Sequence, residues 1–106
     1  IQENIDEAFS MYPNVDGVFA TDTHALIYMK KALSMGKKIP QDLKVVAYDG
    51  TFILNTVYPS PSAIVQPIDK LAKVAVDSLH AIINGENVDR NTKVLDIEFR
   101  QGMTTN

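Results

Sequence analysis

Apolar residues along this chain follow two spacings, one helical and one suited to strands. Ile5, Ala8, Phe9 and Tyr12 stand at i, i+3, i+4 and i+7, the single apolar stripe of a helix. Pro13 ends it, because the residue before a proline is pushed out of the helical region. Val15 to Ala20 then reads as a short buried strand, with Val18, Phe19 and Ala20 contiguous and apolar, as in parallel strands covered on both faces. A second helix follows, with Thr21 or Asp22 able to cap it and Ala25, Leu26, Met29, Ala32 and Leu33 repeating at helical spacing. Gly36 supplies a left-handed stop.

A second buried strand is predicted over Lys44 to Tyr48, ended by Asp49-Gly50, and Thr51 to Val57 reads as one or two helical turns. Pro59 and Pro61 enforce an extended link into a third short strand at Ala63 to Val65. The clearest helix comes next. Pro67 suits its first turn, Ile68, Leu71, Ala72, Ala75, Leu79, Ile82 and Ile83 line one face, and Gly85 ends it. Leu95, Ile97 and Phe99 alternate with Asp96 and Glu98, the pattern of a half-buried strand near an edge. This alternation of helices and strands predicts an α/β fold with a largely parallel sheet and helices on both faces.

Composition narrows the function. At 106 residues the chain is one domain at most, and 45% hydrophobic residues can supply a core. A net charge of −3 argues against a grip on nucleic acid by this chain's own electrostatics. The densest basic stretch, Lys30, Lys31, Lys37 and Lys38, lies around a predicted helix end and reads as a solvated face favoured by the helix dipole. With no cysteine, disulfides, thiolate metal sites and a Cys nucleophile are excluded. No apolar run is long enough for a membrane span. The chain opens on Ile1-Gln2-Glu3-Asn4, without an initiator Met or a signal-peptide pattern, and is therefore expected to be a piece of a longer protein.

Open α/β sheets bind ligands beyond the carboxyl ends of their strands. The residues there are Thr21 and Asp22, then Asp49, then Gln66. A hydroxyl, carboxylates and a carboxamide on one rim suit a neutral polyol, whereas a phosphate calls for Gly-rich backbone and a cation. Each residue also has a plainer reading. Asp22 can simply cap its helix, Asp49-Gly50 is an ordinary turn pair, and Gln66 can satisfy backbone groups at a helix entrance. His24 has no ligand partners at metal spacing and reads as a solvent-facing helix residue, Tyr48 as core. No dinucleotide, P-loop or nucleophile-elbow motif occurs, so no catalytic residue, metal or cofactor is expected.

Together these segments resemble the lactose-repressor/galactose-repressor family of transcription regulators. The resemblance runs through Asp16-Gly17-Val18-Phe19-Ala20-Thr21-Asp22, through Gly36 to Asp49, through Pro61-Ser62-Ala63-Ile64-Val65-Gln66-Pro67, and into the tail from Phe99 to Thr105. It implies the C-terminal part of a type I periplasmic-binding-protein-like, Rossmann-like core, in which two lobes close on a small-molecule effector, a sugar above all. Residues 1–66 would be part of the C-terminal lobe, and 67–106 the crossover helix and terminal strand completing the core. The resemblance also implies a cytoplasmic repressor that works as a homodimer or higher oligomer and reaches operator DNA through a helix-turn-helix domain absent from this chain.

By the same resemblance Thr21, Asp49 and Gln66 are effector-binding and Asp22 supports them. Leu26, Lys30, Asn55, Val57 and Tyr58 fall in regions that often form the dimer interface. Ala47, Gly50 and Ala63 depart from the family's usual residues and bear on which effector is taken. A sugar-binding protein of an uptake system is the alternative within the same fold. An enzyme on a doubly wound sheet is the alternative of another class, disfavoured for want of a nucleophile or cofactor loop.

Overall fold

The computed structural model describes residues 1–88 and 93–106. The elements are helix α1 (Gln2–Met11), strand β1 (Gly17–Thr21), helix α2 (Asp22–Ser34), strand β2 (Lys44–Asp49), a 3-10 helix (Phe52–Thr56), strand β3 (Ser62–Val65), helix α3 (Ile68–Ile83) and strand β4 (Glu98–Arg100). They divide into two compact units, Ile1–Val65 with Glu98–Asn106, and Gln66–Ile97.

The first unit is built on a four-stranded sheet in the order β1-β2-β3-β4. β1 and β2 pair in parallel, as do β2 and β3, and β4 joins β3 antiparallel. This is the mixed, mostly parallel α/β sheet expected, with an antiparallel strand at one edge. Register places Val18 beside Val45 and Ala20 beside Ala47, which in turn lies beside Ala63. Side chains alternate along a strand, so these residues share one face. Val45, Ala47 and Ala63 are fully buried there, with Val18, Ala20 and Val65 packed against them.

α2 covers that face. Ala25, Tyr28, Met29 and Ala32 are its buried apolar residues, a stripe repeating at helical spacing. The small alanines at the contact let the helix axis approach the strands. α1 packs on α2 through Ile5 and Phe9, and the Phe9 ring stacks on Tyr28 with centroids 4.3 Å apart. α1 stops at Met11 ahead of Pro13, and α2 ends where Gly36 takes φ +83°. Leu43 and Leu54 complete the core, each only 1% exposed. Burying such a side chain contributes about 1.5–3 kcal/mol.

Three expectations need correction. The first strand is Gly17–Thr21 rather than Val15 to Ala20, and Phe19 is 64% exposed rather than buried. β1 lies at a sheet edge, and Phe19 points to the face opposite α2, where its ring stands edge-on to Tyr48 with centroids 5.9 Å apart. Tyr48 is accordingly half-buried rather than core. The last strand covers only Glu98–Arg100, so Leu95 and Ile97 fall outside it. β3 is four residues long and gives partners to β4 at Ala63, Ile64 and Val65, which limits how far the ladder can run. The helical turns expected after Asp49 form the 3-10 helix, anchored by the buried Leu54.

The amino-end side of the sheet is sealed by hydroxyls. The Thr104 hydroxyl accepts from the Ser62 amide at 2.9 Å, and the Val45 amide donates to the Thr104 carbonyl at 3.1 Å. The Ser62 hydroxyl accepts from the Gly102 amide at 2.8 Å and pairs with the Thr105 hydroxyl at 2.7 Å. Gly102 is required by space: a Cβ there would stand 2.5–2.6 Å from the backbone of Pro61 and Ser60.

The second unit contains α3, which begins just after Pro67 and stops before Gly85 at φ +74°. Its apolar stripe is as periodic as the sequence indicates, yet none of its residues is buried. Lys73 and Asp77 form an ion pair at 2.7 Å on its surface.

Candidate functional site

The carboxyl ends of β1 and β2 form one rim. Thr21 is the last residue of β1 and lies across from Tyr48, so Asp49, the last residue of β2, is one step further along the same edge. Pleat alternation puts Thr21 in the row of Phe19 and Tyr48, and Asp49 in the row of Val45 and Ala47. Asp49 leaves the regular strand conformation, with φ +123°. A non-glycine residue there is strained by about 1–3 kcal/mol and persists only where its surroundings hold it.

Those surroundings are visible. Gly50 follows at φ +74°, and a Cβ on it would stand 2.7 Å from Val65 Cγ2 and 2.9 Å from Val65 Cα. The turn therefore lies directly against the end of β3. On its other side stands Asp22, only 4% exposed. Its carboxylate accepts from the Gly50 amide at 3.2 Å, from the Thr51 amide at 2.7 Å and from the Thr51 hydroxyl at 2.5 Å.

The expected helix cap is thus corrected. Neither Thr21 nor Asp22 makes a side-chain cap bond to α2. Asp22 is turned toward the β2 turn, where three donors converge on it. Its place in the first turn of α2 still sets its charge favourably in the helix dipole. Thr21, the residue before α2, is exposed and pairs its hydroxyl with His24 Nδ1 at 2.9 Å. His24 is accordingly half-buried and hydrogen-bonded rather than simply solvent-facing.

Gln66 follows Val65 and opens the second unit, where its carbonyl accepts from the Ile68 amide at 2.8 Å. Within the first unit, the rim carries Thr21 and Asp49 at neighbouring strand ends, in opposite pleat rows, and ties Asp22 to Gly50 and Thr51, an attachment that sequence reasoning had not assigned. The Asp49-Gly50 pair marked a turn, but its fastening to a carboxylate 28 residues earlier left no local signal. Among the described residues no three His, Asp or Glu side chains converge as metal ligands would.

The candidate interface residues are also on the first unit. Leu26 and Val57 are half-buried, Lys30 and Asn55 are exposed, and Tyr58 is 83% exposed. α2 and the 3-10 helix, from which Leu26, Lys30 and Asn55 come, pack on one another. A shallow depression lined by Gln2, Ile27, Lys30, Lys31 and Ser34 lies on α1 and α2, away from the rim.

The model of the periplasmic binding protein-like domain matches residues 1–105. The sucrose operon repressor of Lactococcus lactis subsp. lactis is 42% identical over 88 residues, covering 83% of this chain and 26% of the repressor. The ribose operon repressor of Bacillus subtilis (strain 168) is 35% identical over 105 residues, covering 98% of this chain and 32% of the repressor. The chain thus spans about a quarter to a third of the length of these relatives. Among solved structures, a periplasmic binding protein/LacI transcriptional regulator from Alkaliphilus metalliredigens QYMF, complexed with D-xylulofuranose, superposes with a TM-score of 0.87 at 32% identity. That match covers 93% of this chain and 38% of the regulator.

Proposed function

Because this chain belongs to the periplasmic binding protein-like domain family, we propose that it forms part of the effector-binding core of a sugar-responsive transcriptional repressor. The observation that carries the reading is the shared rim of β1 and β2, which ends in the Thr21 hydroxyl and the Asp49 carboxylate. Such groups make directional hydrogen bonds to the hydroxyls of a neutral polyol. A carboxylate accepting from sugar hydroxyls is the stronger, charge-assisted partner. Gln66, at the exit from β3, is proposed as a third contact. The site is read as one for binding rather than catalysis, in keeping with the repressor activity named for its relatives. Their being operon repressors also favours a regulator over an uptake protein.

In the complete protein, operator DNA would be held by a separate helix-turn-helix domain, since this chain carries net negative charge. Such a protein acts on DNA in the cytoplasm, and among the described residues no helix is long and apolar enough to cross a membrane. The effector would act by binding two arrangements of the core with different affinity. Leu26, Lys30, Asn55, Val57 and Tyr58 are proposed to contribute to a homodimer interface.

Calorimetry on the complete polypeptide, with D-ribose, sucrose and D-xylulose titrated in turn, tests the reading. At least one sugar should bind and raise the unfolding temperature, as any ligand selective for the native state does. Asp49→Asn should weaken that binding about tenfold or more, a difference of roughly 1.4 kcal/mol. No binding by any of the three, or unchanged affinity in the variant, sinks it.

A further inference from the structure

Asp22 was expected to cap its own helix and to support the effector residues, and it makes no cap bond to that helix. All three of its hydrogen bonds go to the two residues that follow Asp49. We infer that Asp22 is a positioning residue for effector recognition: it fastens the Gly50-Thr51 turn and thereby holds the Asp49 carboxylate in its binding orientation. The inference rests on the proposal that Asp49 binds the effector.

Three observations converge on it. Asp49 sits at φ +123°, a conformation that needs external support. The next residue, Gly50, is pressed against Val65 on one side and donates to Asp22 on the other, so the turn is gripped from both. Asp22 is buried, and both of its oxygens are engaged, Oδ1 by the Gly50 amide and Oδ2 by the Thr51 amide and hydroxyl. A buried carboxylate is retained only with such partners, because burying it unpaired is far costlier than leaving it in water. This one links the start of α2 to the end of β2, so Thr21 and Asp49, two of the proposed ligand contacts, are joined through Asp22. A group held within a narrow range of orientations before binding loses less freedom when the ligand arrives.

The test uses the complete polypeptide and the same three sugars, D-ribose, sucrose and D-xylulose. Asp22→Asn should weaken binding roughly tenfold. Thr51→Val should weaken it in the same direction, and Thr51→Ser, which keeps the hydroxyl, should restore it. In an Asp49→Asn background, Asp22→Asn should cause little further loss, because the orientation it secures no longer matters. Amide hydrogen exchange at Gly50 and Thr51 should quicken in Asp22→Asn while exchange at Val45 and Ala47 stays slow. That pattern separates a loosened turn from a damaged core.

If Asp49→Asn weakens binding but Asp22→Asn does not, the positioning role falls and the effector reading stands. Equal losses from Asp22→Asn with and without Asp49 also overturn it, since the residue would then act independently of that carboxylate. Unchanged exchange at Gly50 and Thr51 overturns it on physical grounds alone. Unaltered affinity in Asp49→Asn removes the effector reading and this inference with it.

Discussion

The Thr104 hydroxyl donates to the carbonyl of Val45 at 2.5 Å, joining residues 59 apart in sequence. The same oxygen accepts from the Ser62 amide, so one buried side chain bridges β2 and β3 at their amino ends. Replacing it with valine keeps the shape and removes both partners. Leaving a buried donor or acceptor unsatisfied costs about 1–3 kcal/mol. Thr104→Val is therefore expected to lower the urea midpoint by an amount in that range, without changing the denaturant slope. An unchanged midpoint would mean the bridge contributes nothing net.

Gly50→Ala is expected to destabilise by about 1–3 kcal/mol, through crowding and an unfavourable backbone angle. The added methyl meets Val65 at 2.7 Å, and part of that contact is main chain that cannot swing aside. Sugar binding by the complete polypeptide should weaken at the same time, since the turn carrying Asp49 has to shift. Gly36→Ala is the control. It carries a similar positive φ but has open space around the added atom, so only stability should change.

Leu54 is the one buried residue of the 3-10 helix. Leu54→Ala should cost about 2–5 kcal/mol, the range for emptying a close-packed site. The loss should be accompanied by faster amide exchange from Phe52 to Thr56, measurable by NMR. Preserved protection there would show that the short helix is held by something other than this anchor.

Alkaline pH offers an independent check on the α1–α2 contact. Burial raises the Tyr28 phenol above its ordinary value. For a group whose folded pKa is raised, the contribution is complete below the unfolded pKa and lost as pH climbs through the folded one. Stability is thus expected to fall above about pH 10. Tyr28→Phe keeps the ring against Phe9 and has no proton to lose. Thermal melts of both proteins across that window should diverge, with the variant losing less; parallel curves would count against the burial effect.

How much of this could be seen in the sequence varied with the range of the interaction. Ile5 and Phe9, the alanines of α2 and the stripe of α3 declare helices, because an apolar face repeats every three or four residues. Gly36 was read correctly as a left-handed stop and Gly85 as the end of α3, a strictly local matter. Phe19 was misplaced because a contiguous apolar run does not reveal which face of a sheet will be covered. Asp22 was read as a helix cap and a support for the rim, because residues at helix starts commonly cap them. Its actual partners lie 28 and 29 positions ahead, beyond any local rule. The Thr104 bridge was missed for the same reason. Thr21 and Asp49 were placed at strand ends by the strand pattern alone, and register then put them on neighbouring strands.

The chain leaves its first unit at Val65 and re-enters it at Glu98, and those two residues are direct partners in the β3–β4 ladder. Topologically, Gln66–Ile97 is cargo inserted at the tip of a hairpin. Antiparallel partners that face each other are the points a two-residue Asn-Gly turn joins. Excising the insert and closing the gap with such a turn should leave a smaller protein whose four strands keep their present alignment.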